Sequence, residues 1–155
     1  MYVKLSKSNI EGKKYTAIFA ISINGVIGFT LYEKGGIDSE RLVAFLDTFI
    51  TNKYKNKVIV LDNASSHRNE NVKQTIMKNN NLLYSVPYQH YTNAIEMFFS
   101  MLKSKLQKKS GLLHSELNNN IKEVIQIIPK SYYRNILKGT YNRSCYMKNY
   151  KNYKD

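Results

Sequence analysis

Asn24-Gly25 stands between two runs of β-branched and aromatic residues, Thr16-Ala17-Ile18-Phe19-Ala20-Ile21-Ser22-Ile23 and Val26-Ile27-Gly28-Phe29-Thr30-Leu31-Tyr32. This is the strongest short-range signal for a β-hairpin, because both turn residues must accept a positive φ. An antiparallel pair is therefore expected over residues 15–32, after a polar, basic stretch (1–14) that has no strong period. Tyr15 to Tyr32 is also the only segment of near-membrane length, but Ser22, Asn24 and Gly25 interrupt it. A spanning helix would need about 20 mostly apolar residues, so no membrane association is expected.

The pattern after the hairpin is alternating. Gly35-Gly36 breaks the chain, and Asp38 or Ser39 can cap a helix whose apolar positions are Leu42, Val43, Phe45, Leu46, Phe49 and Ile50, a one-faced helical spacing. Val58-Ile59-Val60-Leu61 is a wholly apolar run, as expected of a strand covered on both faces. A helix over 69–78 and a strand over 82–86 follow, and strand, helix, strand implies a parallel crossover. Helical periods then run over 93–107 and 115–128, with a shorter one over 131–138. A single domain over 1–138 is expected, followed by a basic, tyrosine-rich tail over 139–155.

Charge narrows the choice of partner. Lys and Arg total 24 against 11 Asp and Glu, a net +13 in 155 residues, which points to a polyanion such as nucleic acid. The abundance of Asn, Lys, Ile and Tyr together also fits an AT-rich coding sequence, which explains part of the excess equally well. The one cysteine, Cys145, excludes an internal disulfide and a cysteine-built metal site, and suits a reducing compartment.

Four of the eleven acids have a ready structural explanation. Asp38, Glu40, Asp47 and Glu116 fall at helix starts or on a polar helix face. Asp62 closes the apolar strand in Val58-Ile59-Val60-Leu61-Asp62-Asn63-Ala64. The carboxyl ends of strands are where open α/β sheets bind ligands, and a divalent cation is one natural partner for such a carboxylate. Capping of the following turn, assisted by Asn63 and Ser65, is the plainer alternative. Glu96 lies where Thr92 or Asn93 could cap a helix, so it either closes a capping box or projects toward the strand ends as a second oxygen ligand.

Taken together, these contexts resemble a known family. Asp62-Asn63-Ala64-x-x-His67, then Pro87-Tyr88, then Asn93-x-Ile95-Glu96-x-x-Phe99-x-x-Leu102-Lys103 is similar to the catalytic domain of DDE transposases, the mariner-like superfamily and its bacterial insertion-sequence relatives. Thirty-three residues separate the two acids, close to the mid-thirties spacing of that family. The resemblance covers residues 14–108 or so. It implies an RNase H-like α/β fold, a mixed sheet with helices on both faces. It further implies two Mg²⁺ or Mn²⁺ ions, water attack on the phosphodiester at a transposon end, and attack of the freed 3′-hydroxyl on target DNA. By position, Asp62 resembles the second catalytic acid and metal ligand and Glu96 the third. Asn63, His67 and Asn93 match supporting neighbours, with local hydrogen bonding as their ordinary role. Lys103, Lys105, Lys108 and Lys109 are candidate phosphate contacts, as are the lysines and tyrosines interleaved in the tail.

The chain departs from the family at several positions. Pro87 stands alone where a double proline is usual, Ala94 precedes Ile95-Glu96 in place of proline, and Phe99 replaces tryptophan. The family's first acid sits on a central strand ahead of the hairpin, yet residues 1–14 hold no Asp, and their one acid is Glu11. The sheet is therefore expected to lack its first, central strand unless Tyr2-Val3-Lys4-Leu5 fills the gap or another chain supplies it. Two functions follow. One is the C-terminal part of a DDE transposase that cleaves and transfers DNA strands, paired with itself or with a full-length transposase. The other is a catalytically inactive RNase H-like remnant that binds DNA or associates with such a transposase. An unrelated basic nucleic-acid-binding domain is a third, disfavoured by the paired signature. An intracellular location with the DNA, in cytoplasm, nucleoid or nucleus, is expected in each case.

Overall fold

The structure, a computed structural model, describes residues 2–10, 13–85, 94–109 and 113–139. Its strands are β1 (Tyr2–Ile10), β2 (Lys13–Ser22), β3 (Gly25–Tyr32), β4 (Val58–Leu61) and β5 (Asn81–Tyr84). Its helices are α1 (Ser39–Leu46), α2 (Glu70–Met77), α3 (Ala94–Leu106), α4 (His114–Ile127) and α5 (130–139). The five strands form one sheet in the order β3-β2-β1-β4-β5. β1–β2 and β2–β3 are antiparallel, whereas β1–β4 and β4–β5 are parallel.

The period of two along β2 divides the interior into two layers. Ile18 and Ala20 join Ile59 and Leu61 of β4 under α1 and α2, with Leu42, Phe45, Leu46, Val72 and Ile76 buried against them. Ala17, Phe19 and Ile21 face the other way, toward Ile95, Phe98, Phe99 and Leu102 of α3 and the buried faces of α4 and α5. Helices thus cover both faces of a mixed sheet, as expected. Phe19 is the anchor of the second layer. Its ring stacks on Phe29 at 5.2 Å and meets Phe98 and Phe99 at 5.3 and 5.4 Å; each such pair adds about 1 kcal/mol beyond area burial. These contacts fix how α3 lies on the sheet.

One expectation is corrected. The sheet does not lack its central strand, because Tyr2–Ile10 occupies that position. It pairs with β2 along its whole length, from Tyr2↔Ile21 to Ile10↔Lys13, and with β4 through Tyr2↔Val60 and Val3↔Leu61. The physical reason is the backbone. Without β1, the edges of β2 and β4 would each carry unpaired N–H and C=O groups, and pairing satisfies both whatever the side-chain pattern.

The hairpin turn also falls one residue earlier than expected. Ile23 and Asn24 make the turn, while Gly25 begins β3 opposite Ser22 with φ of +126°, a conformation that favours glycine. The register then slips by one between Ala20↔Gly28 and Ile21↔Val26, a bulge on β3. Gly28 has a separate constraint: a Cβ there would lie 2.2 Å from the Phe49 ring.

Helix α1 starts as expected, with the Asp38 carboxylate accepting from the Arg41 N–H at 2.8 Å. Asn69 caps α2 in the same way, accepting from the Asn71 N–H at 2.9 Å. Buried Asn80 ties the starts of β4 and β5 together: its side chain accepts from the Lys57 N–H and donates to the Tyr54 carbonyl, both at 3.0 Å.

Candidate active site

Asp62 follows the last residue of β4, where the chain leaves the sheet through a 3₁₀ turn over Ser65–Arg68. Its Oδ1 accepts from the Ala64 N–H at 3.1 Å, the local capping expected of an Asp beside a turn. The same oxygen lies 2.6 Å from Nδ1 of His67, whose side chain is fully buried while that of Asp62 is 21% exposed. His67 Nδ1 also approaches the Asp62 carbonyl at 3.2 Å. The turn is fastened to β5 by the Tyr84 hydroxyl, which donates to the His67 carbonyl at 2.9 Å, and the pairing of β4 with β5 continues as Ser85 N–H donates to Leu61 O at 2.7 Å. Asn63 is directed elsewhere: its side-chain oxygen accepts from Arg68 Nε at 2.9 Å. His67 and Asn63 both make hydrogen bonds within this loop.

Glu96 sits in the first turn of α3, half-buried and engaged by a neighbour. Helix α3 packs on β1, and β1 is hydrogen-bonded to β4. The two acid-bearing elements thus share β1 as a neighbour. The β1–β4 pairing ends at Val3↔Leu61, so Lys4 and Asp62 are the next residues of the two chains, and residues 2–10 contain no acid. Among the described residues, no three His, Cys, Asp or Glu side chains gather into a cluster able to hold a metal. Asp62 and Glu96 have the hard oxygen donors that Mg²⁺ and Mn²⁺ prefer, so the donor chemistry fits such an ion, while the set is two carboxylates in place of three. His67 is not a candidate ligand, because its Nδ1 is committed to Asp62 and its Nε2 is buried.

The four expected phosphate contacts fall at the far end of α3. At about 1.5 Å per residue, Lys103 and Lys105 lie roughly 10 and 13 Å along the helix from Glu96, both half-buried. Lys108 is exposed just past the helix. Lys109 is ion-paired with Glu123 of α4, so part of its charge is spent within the fold. Asn93, Pro87 and the tail lie outside the described residues. The contribution of Tyr84 had no signal in the sequence, since a tyrosine ending a short strand has no marked partner.

A five-stranded mixed sheet in this order, with helices on both faces and an acid at the end of its fourth strand, defines the RNase H-like class. The chain belongs to the DDE superfamily endonucleases, whose family profile matches residues 3–117. Its fold is that of the Mos1 mariner transposase catalytic domain, with a TM-score of 0.76 at 16% identity over 90% of this chain and 74% of that one. The same domain with raltegravir and Mn gives 0.77, again at 16% identity and the same coverage. The Mos1 strand transfer complex gives 0.75 at 19% identity, covering 88% of this chain and 43% of that one. No curated protein matches the chain. The chain is thus a DDE transposase-like catalytic domain.

Proposed function

We propose that this domain serves divalent-metal-dependent cleavage and transfer of DNA strands, with Asp62 and Glu96 as the carboxylate ligands of Mg²⁺ or Mn²⁺. The observation that carries the reading is the placement of the paired acids within the matched family: Asp62 at the carboxyl end of β4 and Glu96 in the first turn of α3. Structures of Mos1 with Mn, with Mg and as a strand transfer complex support both the ion and the substrate. The ions in such sites activate an attacking oxygen and stabilise the leaving one. The protein's part is positional. Asp62 is held by His67 and by the Ala64 N–H, Glu96 is set by the packing of α3 under Phe19, and Lys103, Lys105 and Lys108 offer cations along the duplex backbone. The partner is DNA, and the assembly is a pair with itself or with a full-length transposase, located wherever that DNA resides.

The acid-free β1 favours a second reading: a remnant that binds DNA, or joins a full-length transposase, without cutting. Nicking of duplex DNA carrying cognate transposon ends, with Mn²⁺ present, separates the two. Cleavage by the purified chain that Asp62→Ala lowers at least a hundredfold, about 3 kcal/mol of transition-state stabilisation, eliminates the remnant. DNA binding with no nicking by the chain alone, and none that depends on Asp62 when a full-length transposase is added, establishes it.

A further inference from the structure

Buried histidines normally pair both ring nitrogens, and among the described residues His67 pairs only Nδ1. Its side chain is fully buried, Nδ1 faces the Asp62 carboxylate at 2.6 Å, and Nε2 has no hydrogen-bond partner among the described residues. Two lone pairs cannot face each other at that distance, so Nδ1 carries a proton and donates it to Oδ1. The tautomer that fits this contact has its hydrogen on Nδ1. His114 is the opposite case, with its Nε2 pointing at the Leu31 carbonyl at 3.2 Å.

The ring is itself held from behind. The His67 N–H donates to the Ala64 carbonyl at 3.0 Å, and its carbonyl accepts from the Tyr84 hydroxyl. A chain of fixed groups therefore runs from β5 through the 3₁₀ turn to a single carboxylate oxygen. We propose that His67 is a positioning residue for Asp62: a buried imidazole strut that locks the carboxylate in one orientation at the end of β4, so that its use as a metal ligand needs no reordering. The metal part rests on the reading of Asp62 as a ligand; the strut itself does not. Partners that orient metal ligands contribute tenfold to a hundredfold in affinity.

The test has two arms on the full chain. In the first, ¹⁵N and ¹H NMR of the imidazoles should show His67 protonated at Nδ1, with a far-downfield proton that moves upfield in Asp62→Asn, while His114 keeps its Nε2 proton. A His67 protonated only at Nε2, or an Nδ1 proton indifferent to Asp62→Asn, overturns the proposal. In the second, Mn²⁺ binding followed by electron paramagnetic resonance should weaken about tenfold in His67→Leu and return to near the parent value in His67→Asn, whose amide can donate from the Nδ1 position. Equal weakening in two folded variants marks His67 as a packing residue only and also overturns it. No Mn²⁺ binding by the parent chain, with the Nδ1 signature present, refutes the ligand reading of Asp62 and leaves the strut standing on the first arm.

Discussion

Tyr133 is buried beneath the β2–β3 turn with its hydroxyl unpartnered among the described residues, and burial, aided by neighbouring Tyr132, pushes its phenol up to about 12 from the usual 10. The folded value is raised, so its stabilisation is complete below the unfolded value and is lost as pH rises through the folded one. Unfolding monitored by circular dichroism should therefore show stability falling between pH 10 and 12, by on the order of 2–3 kcal/mol. Tyr133→Phe should remove most of that loss and raise stability at neutral pH by about 1 kcal/mol, since no donor is then buried without an acceptor. At the candidate site, the residue types are legible in the sequence because chemistry selects them: an acid closing an apolar strand needs a partner. The identity of that partner is not. The five-residue separation of Asp62 and His67 becomes a 2.6 Å contact only through the 3₁₀ turn, whose geometry no local residue pattern announces.

Elements with a period of their own are legible in their residues, and those defined by pairing are not. The apolar faces of α1, α2, α3 and α4, and the run of β4, follow from spacing that local sequence fixes. β1 has a polar composition and owes its place to two distant edges that need hydrogen bonds, so its own residues do not announce a strand. The hairpin turn is displaced by one residue for a similar reason. The bulge at β3 sets the register, and Gly28 is kept for the close approach of Phe49 rather than for its φ. Gly28→Ala should destabilise the domain by about 1–3 kcal/mol in urea titrations, as overpacking does, and Phe49→Leu should recover part of that loss. At the β1–β4 seam, Lys4 follows Val3 just as Asp62 follows Leu61, the last pair between the two strands. Lys4→Asp should add a carboxylate to the two-acid set and tighten Mn²⁺ binding at least tenfold, about 1.4 kcal/mol; unchanged binding would place the third ligand elsewhere.

Across the whole molecule, the net charge of +13 is uneven in its use. Lys73 pairs with Glu70 and Lys109 with Glu123, while the lysines of α3 lie along the helix that begins at Ala94 and carries Glu96 in its first turn. Replacing Lys103, Lys105 and Lys108 together should weaken duplex binding and flatten its salt dependence by roughly one unit of slope for each lysine that meets a phosphate. A slope that stays unchanged would assign the charge to composition rather than to DNA. The central claim, that the end of β4 and the first turn of α3 build one divalent-metal site, is tested most directly by Mn²⁺ titration of the parent chain, Asp62→Asn and Glu96→Gln under electron paramagnetic resonance. The predicted result is a single weak site in the parent that both substitutions abolish in folded protein. Binding that survives both would contradict the account.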